Sequence, residues 1–438
     1  MANRYTVSRE TVELGTVEGD LNVEKGTINA VDGALKVNGV IRCIGNCEFN
    51  GNVEAESILS KKGDVYINGS VQTKEIEVRD GNLRVKDNIK AERIRVDKTL
   101  EYNGSLVSEL VRAGKTLNAN GDLKATSVKV GGTFNAEKEV NAEYIDVGGS
   151  LKTYGKTRAQ SIDVGGTYKA NGPLECDELD IGGTFSTDRP VNLVKIRVGG
   201  TVSLEGGTVK EFINVGGTLK AEEYLEYGEI DVGGTVKLRK GGKGGSIDVG
   251  GTLNSEGDLE FTDIGVGGTV KIDGKAVGEN LTVGGSLKTY GDFTVSNRLK
   301  VGGRVEVDGE LKAGDIRVGG KIRAYKVESE RSIETGTLRT RYGAKAKKIE
   351  ISRRGTVEGP LIAETIILKE RVTADDIYGD RVQIRGRCTV GNVYAKRIRM
   401  ESRSKANSIK YTDEVRLDSR TTLRAGSKKV EELPEPPF

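Results

Sequence analysis

The chain has 438 residues, of which 61 are glycine and 6 are proline, and it contains no histidine. Its charges nearly balance, because 68 Lys and Arg face 65 Asp and Glu for a formal net charge of +3. The lack of histidine excludes Ser-His-Asp and Cys-His nucleophile systems and acyltransferases that use a histidine base. No apolar run approaches the ~20 residues that span a bilayer.

Residues 1–16 are predicted to form an N-terminal lead-in. The first ten are polar, carry charges of both signs and lack a basic-then-apolar leader, so we expect a cytoplasmic protein. Residues 17–112 are predicted to form irregular solenoid turns. Here apolar residues recur every six positions, so three sides make an 18-residue turn: Leu35, Ile41, Cys47, Val53, Leu59, Val65 and Val71.

Residues 113–320 contain a strict repeat of Val-Gly-Gly, once Ile-Gly-Gly. Ten of the eleven steps between copies keep a 17-residue spacing, and only the step from Val283 to Val301 is longer, by one. A repeat this short buries its apolar side chains only by stacking on copies of itself. The first residues of the tripeptides are Val130, Val147, Val164, Ile181, Val198, Val215, Val232, Val249, Val266, Val283, Val301 and Val318.

One repeat unit contains three short alternating segments. In residues 130–147 the apolar pairs are Phe134/Ala136, Val140/Ala142 and Ile145/Val147, each flanking one polar residue. Alternation with period two is typical of half-buried strands. Three strands and three corners in each repeat predict an all-β fold, a single continuous parallel β-helix in the form of a triangular β-solenoid.

Residues 321–430 are predicted to continue the solenoid as irregular, basic turns. From Lys321 to Phe438 there are 27 Lys and Arg against 17 Asp and Glu, whereas the chain before Lys321 carries 41 against 48. Residues 431–438 form a proline-rich tail, and the stretch Arg239–Gly245 is expected to be a loose loop. About 25 turns at the ~4.8 Å strand spacing would give a rod of roughly 110 to 120 Å.

Two charged columns are expected on the surface. The repeat places aspartates in one outward column at Asp146, Asp163, Asp180, Asp231 and Asp248, which suits surface patterning more than a catalytic pocket. Another column is basic and is expected to support lateral bundling where acidic columns of a second rod offset it: Lys152, Lys169, Lys220, Lys237, Lys271, Lys288 and Arg323.

No catalytic, cofactor-binding or metal site is predicted. Cys43, Cys47, Cys176 and Cys388 all fall on inward positions, so we expect buried, reduced thiols. Cys43 and Cys47 are close in sequence, but no other ligand pair lies nearby.

Three segments resemble the bactofilin family of polymer-forming cytoskeletal proteins. They are Gly15–Val23 (GTVEGDLNV), Phe49–Ile58 (FNGNVEAESI) and Gly355–Ile366 (GTVEGPLIAETI), and the pattern spreads over most of the chain. The resemblance implies a right-handed triangular β-helix that assembles end to end without nucleotide. The chain is several times longer than a usual bactofilin core and lacks its apolar N-terminal membrane-targeting segment.

The expected partner is therefore a second copy, joined end to end, with lateral bundles as a further possibility. Nucleic acid is not favoured as a partner, and membrane association is left open. The candidate interface residues are the first layer, Val17, Leu21, Val23 and Ile28, the last layer, Val415, Leu417 and Leu423, and the tail residues Leu433 and Phe438, which are expected to cover the last layer or join the contact.

Other functions remain open beside the filament. One is a rod-like binding module, another is a secreted β-helical fibre shaft, and the least favoured is a carbohydrate-active β-helix enzyme. Such an enzyme needs an acidic cleft fed by long loops, and the uniform repeat leaves almost no insertions.

Overall fold

A computed structural model describes residues 4–438, all of whose regular elements are β-strands. The chain divides into two compact units, unit 1 up to Gly217 and unit 2 from Thr218 to Phe438. Within each unit every recorded strand pairing is parallel, and each strand pairs with the strand one turn earlier or later. The predicted all-β, parallel β-solenoid fold is confirmed in both units.

The strands of unit 1 are Arg4–Ser8, Thr11–Leu14, Thr16–Val17, Asp20–Glu24, Thr27–Ile44, Cys47–Ser60, Val65–Ile67, Val71–Val78, Leu83–Val85, Ile89–Val96, Thr99–Tyr102, Leu106–Ala113, Thr116–Ala119, Leu123–Val130, Thr133–Ala136, Val140–Val147, Ser150–Thr153, Thr157–Val164, Thr167–Ala170, Leu174–Ile181, Thr184–Thr187, Val191–Val198, Thr201–Leu204 and Gly207–Val215.

The strands of unit 2 are Thr218–Ala221, Leu225–Val232, Thr235–Leu238, Gly242–Val249, Thr252–Ser255, Leu259–Glu260, Asp263–Val266, Thr269–Ile272, Ala276–Val283, Ser286–Thr289, Phe293–Val301, Arg304–Val307, Glu310–Ala324, Lys326–Thr340, Ala344–Ile351, Thr356–Glu358, Leu361–Leu368, Thr373–Ala374, Ile377–Ile384, Thr389–Met400, Lys405–Leu417, Thr422–Leu423 and Ser427–Lys429.

A regular turn consists of one four-residue strand and one eight-residue strand. In the eight-residue strand Val140–Val147 the first and third side chains point inward, the fourth and fifth are both exposed, and the sixth and eighth point inward again. The two consecutive exposed residues, Glu143 and Tyr144, mark a corner inside the strand. Each turn therefore has three sides, as the three alternating pairs predict.

The core is built from ladders of equivalent residues in successive turns. Phe134, Leu151, Tyr168 and Phe185 lie in one register, all are buried, and the rings of Tyr168 and Phe185 lie 5.4 Å apart. Full burial of one such side chain stabilises the fold by about 1.5–3 kcal/mol. The constant repeat spacing therefore stabilises the fold, because it places equivalent apolar residues in register.

The Gly-Gly corners are explained by close stacking of backbone on backbone. The Gly165 N–H donates to the Val147 carbonyl at 2.9 Å, and the Gly166 N–H donates to the Gly149 carbonyl at 3.0 Å. A Cβ atom on Gly165 would lie 2.5 Å from the Gly148 carbonyl oxygen. Glycine is needed here because no side chain fits between stacked turns.

Gly165→Ala is therefore expected to lower the free energy of unfolding by about 1–3 kcal/mol, since backbone must move to admit the methyl group. Gly15→Ala is the matched control, because its Cβ would meet only the Val31 side chain, at 3.4 Å. Denaturant melts of the two variants measure the difference. Equal stability of the two variants would contradict the stacking explanation.

Candidate assembly surfaces

The first turn at the N-terminal end differs from the predicted one. From Arg4 onward the predicted lead-in is part of the solenoid, because Arg4–Ser8 pairs with Asp20–Glu24 and Thr11–Leu14 pairs with the start of the next strand. In this register Tyr5 stacks on Leu21, Val7 on Val23 and Val12 on Ile28.

This register corrects the position of the N-terminal candidates. Leu21, Val23 and Ile28 are at most 1% exposed and lie in the second turn, so they are core residues in this chain. Of the four candidates only Val17 lies in the first turn, where it stacks on Val37. Tyr5, 45% exposed, is the accessible large apolar residue of that first turn.

At the other end the three candidates Val415, Leu417 and Leu423 lie in the last turn. Val415 stacks on Ile398 and Leu417 on Met400, while Leu423 stacks on Ala406. No described strand pairs with the outer edge of residues 414–417, and Leu417 is 37% exposed. This end therefore presents unpaired backbone donors and acceptors beside apolar side chains.

The C-terminal tail neither covers this last turn nor joins it. The Val430 N–H donates to the Tyr411 carbonyl at 2.9 Å, and the chain then runs back along the side of unit 2. Phe438 ends beside Gly343 and within 4.9 Å of the Lys326 ammonium. Five turns at ~4.8 Å span about 24 Å, close to the reach of eight extended residues.

The tail lies along a groove that we call the unit 2 side groove. Its floor consists of residues at equivalent positions of successive turns, and these residues are small: Ala313, Ser329, Ala346, Ala363 and Gly379. One wall contains Ile362 and Tyr378, and the tail residues Leu433, Pro434 and Pro436 line the same groove. The rings of Tyr378 and Tyr394 stack with centroids 4.8 Å apart.

Unit 1 contains a matching surface, the unit 1 side groove. Its volume is about 930 Å³, and in unit 2 about 980 Å³ stays open beside the tail. Its floor also consists of residues at equivalent positions of successive turns: Val37, Ala55, Thr73, Ala91, Ser108 and Ala125. Val107 on its wall is 45% exposed, whereas Ile362 at the same position of its strand is 9% exposed.

Large rings fill the equivalent positions in the first turns of unit 2. Tyr227 lies against Gly244, where a Cβ would approach the ring to 2.3 Å, and Phe261 lies equally close to Gly278. Gly242–Val249 is a strand that pairs with Leu225–Val232, so the expected loose loop is wrong for Gly242–Gly245, while Arg239–Gly241 lie between strands. The missing side chains make room for the Tyr227 ring, which is 5% exposed.

The basic column is largely neutralised within the chain. Lys169 lies 3.6 Å from Asp188, Lys237 lies 2.9 Å from Glu256, and Lys271 lies 2.9 Å from Asp273. Lys152 and Lys288 instead lie over tyrosine rings, at 4.6 and 4.4 Å from the centroids. Lateral bundling through this column stays a prediction. These contacts already reduce the repulsion between stacked lysines, which a second rod would otherwise have to offset.

The aspartates of the predicted acidic column lie in register, but over only a few turns. Asp146, Asp163 and Asp180 are in register, and Arg197 ends this run. Asp231 and Asp248 form a second run in register, which ends at Gly265. Partial loss of hydration, followed by the charges of the neighbouring Asp180 and Asp146 carboxylates, raises the pKa of Asp163 above its ordinary value. Ionising Asp163 therefore costs the folded state some stability.

Asp163→Asn is expected to be slightly more stable than the parent at pH 7. The folded-state pKa is raised, so the penalty grows as pH rises through it and vanishes below the unfolded value of 3.8. Because the side chain is exposed, screening keeps the gain below about 0.5 kcal/mol. Melts at pH 7 and pH 3 test this, with Asp188→Asn, which loses its partner Lys169, as the control that should gain nothing.

The four cysteines are buried and free, as predicted. Burial raises the pKa of Cys176 to about 12 and also raises the pKa of Cys388, so these thiols stay protonated and unreactive. Among residues 4–438 no group of three or more carboxylates and thiols is arranged to hold a metal ion. In the same part of the chain, no helix has the length and apolarity needed to cross a membrane.

Comparison with known proteins identifies no relative: the chain matches none of the protein-family models, curated proteins or solved structures searched.

Proposed function

We propose that this chain is a structural, non-enzymatic protein that assembles end to end with further copies of itself, in the manner of bactofilins. A parallel β-solenoid is compatible with a structural repeat protein. The observation that carries the finer proposal is the last turn, where residues 414–417 have an unpaired edge and the tail is directed to the side. An open sheet edge is a ready template for a second chain.

Approximate free energies of contact and of association indicate which interactions the junction must contain. Apolar contact between two triangular end layers contributes roughly 5 kcal/mol at about 25 cal/mol/Å². Association costs about 4–15 kcal/mol, so apolar contact alone is marginal. Backbone pairing between the first turn of one copy and the last turn of another would supply the remainder.

Charge favours a head-to-tail junction within this proposal. Residues 1–320 carry a balance of 41 minus 48, or −7, and residues 321–438 carry 27 minus 17, or +10. Joining unlike ends brings opposite net charges together, whereas joining like ends does not. The proposal needs no nucleotide, and four free, buried cysteines suit the reducing cytoplasm in which we place it.

Sedimentation velocity of the purified chain over a concentration series tests the proposal. Without nucleotide or metal, we expect species larger than a monomer that grow with concentration. A single monomer boundary across the whole series would contradict end-to-end assembly.

A second candidate, a binding module, is favoured by one specific observation. A proline-rich segment lines the side groove of unit 2, and the side groove of unit 1 has a similar floor of small residues.

A further inference from the structure

One side of unit 1 presents two columns of outward side chains. In the long strand Val140–Val147 the fifth and seventh residues, Tyr144 and Asp146, point outward between the corner inside the strand and the Gly-Gly corner that follows it. Equivalent residues of successive turns lie in register at the ~4.8 Å spacing of neighbouring strands. Because Gly148 and Gly149 have no side chains, nothing beside Asp146 holds a partner surface away.

The column through Asp146, which we call the charge column, has a charge order that complements its own reverse. Three cations are followed by three anions, and the two residues at its ends are again of opposite sign. Each member pairs in register with the next. In chain order the charge column consists of Glu77, Arg95, Arg112, Lys129, Asp146, Asp163, Asp180 and Arg197.

A second copy that runs in the opposite direction would face the charge column with the opposite charge at every position. The two-fold axis relating the copies then lies between the turns of Lys129 and Asp146. A parallel, in-register alignment would instead place every charge opposite its like, which is unfavourable. The facing pairs, each formed twice, are Lys129 with Asp146, Arg112 with Asp163, Arg95 with Asp180 and Glu77 with Arg197.

The second column on this side, which we call the corner column, is complementary about the same axis. Arg93 faces Glu178 and Glu75 faces Lys195, while the four uncharged members between them face one another. Tyr144 is 51% exposed and lies beside the axis, so the rings of both copies meet at the centre. In chain order the corner column consists of Glu75, Arg93, Leu110, Ser127, Tyr144, Ser161, Glu178 and Lys195.

The charges nearest the middle of each facing block lack a partner within the chain. Four members of the charge column are exposed and have no salt bridge among the described residues: Arg95, Arg112, Asp163 and Asp180. The outermost charges do have such partners, because Arg79 lies 3.0 Å from Glu77 and Lys195 lies 3.3 Å from Glu178. The four unpaired charges are therefore the ones that a second copy would neutralise.

We propose that this side of unit 1 binds the same side of a second copy of the chain running in the opposite direction. The contact is isologous, since each copy contributes the charge column and the corner column about one two-fold axis. The six central members of the charge column span about 24 Å. This contact goes beyond the end-to-end assembly proposed above, because it uses the side of the solenoid and not its ends.

The contact is expected to depend strongly on salt. Exposed ion pairs are individually weak and are screened by salt, and end-to-end filaments would strengthen the contact because it recurs in every chain. Small-angle X-ray scattering should give a twofold larger mass per unit length at roughly 50 mM than at roughly 500 mM salt. End-to-end assembly leaves the mass per unit length unchanged, and at the higher salt it is observed without the side contact.

Charge reversal tests the register. Arg95→Asp and Asp180→Arg each place like charges opposite each other in two of the facing pairs, so neither variant alone should show the twofold increase at low salt. An equimolar mixture of the two variants restores both pairs and should recover it. A parallel alignment staggered by three turns would face Arg95 with Asp146, and the mixture would not restore that pair.

Folding should be unaffected, because Arg95 and Asp180 each have one neighbour of either sign in their own column, and circular dichroism checks this. Lys124→Asp is the control, since Lys124 is exposed on another side of unit 1 and its reversal should leave the twofold increase intact. A mass per unit length that does not change with salt in the unmodified chain, or a mixture that behaves like its separate components, would overturn the inference.

Discussion

Replacing Leu151 by Asp is expected to unfold the turns around it, with the largest loss of stability of any change considered. Leu151 is 1% exposed and stacks between Phe134 and Tyr168. Leucine truncation in a core already costs about 2–5 kcal/mol, and a carboxylate without a partner adds a further penalty. We expect a loss of at least about 4 kcal/mol in denaturant melts.

The adjacent residue provides the control. Lys152 is half-buried and contacts the Tyr154 ring at 4.6 Å, so Lys152→Ser should cost no more than about 1 kcal/mol. Hydrogen exchange should show lost protection in neighbouring turns of the Leu151 variant only, because stability in a solenoid is local. Equal tolerance of both changes would contradict the inward position of Leu151.

Leu417→Arg is expected to abolish end-to-end assembly while leaving the fold intact. Leu417 lies in the last turn, is 37% exposed, and has no strand beyond it among the described residues. An arginine there would be desolvated at the junction without a partner. Sedimentation velocity should show monomers at every concentration. The control is Val277→Arg, because Val277 is exposed in the strand Ala276–Val283, away from the last turn, and this variant should assemble normally.

A matching change at the other end reports filament polarity. Tyr5→Arg places the same charge in the first turn, where Tyr5 is 45% exposed. In a head-to-tail polymer each variant alone gives monomers, whereas a polymer of like ends would leave dimers through the unchanged end. Filaments that persist in both variants would show that assembly uses the sides.

The sequence predicts the regular turns well because the constant 17-residue spacing determines which residues of successive turns lie in register. Val130 and Val147 are one repeat apart, and the structure pairs them directly, so Phe134, Leu151 and Tyr168 follow in register. Alternation then decides which side chains point inward.

The ends were harder to predict because repetition stops there. Tyr5, Val7 and Val12 do alternate with polar residues, but they precede the first apolar residue of the predicted six-residue spacing. The structure shows them as a turn because they pair with Asp20–Glu24 and the strand that follows. The residues predicted as the first layer, such as Leu21, consequently lie one turn deeper.

The side grooves depend on contacts that no single turn encodes. Gly242–Gly245 suggests a loop until the Tyr227 ring from the preceding turn is seen to fill its place. The tail has no periodicity, so nothing in the sequence places Phe438 beside Lys326. One signal was available: a small third residue in successive long strands, as at Ala91, Ser108 and Ala125, marks where a groove opens.

Electron microscopy of the purified chain in negative stain, without nucleotide, tests the central claim most directly. End-to-end assembly predicts unbranched filaments one solenoid wide that are lost in the Leu417→Arg variant. Separate particles of the unmodified chain at every concentration would contradict it.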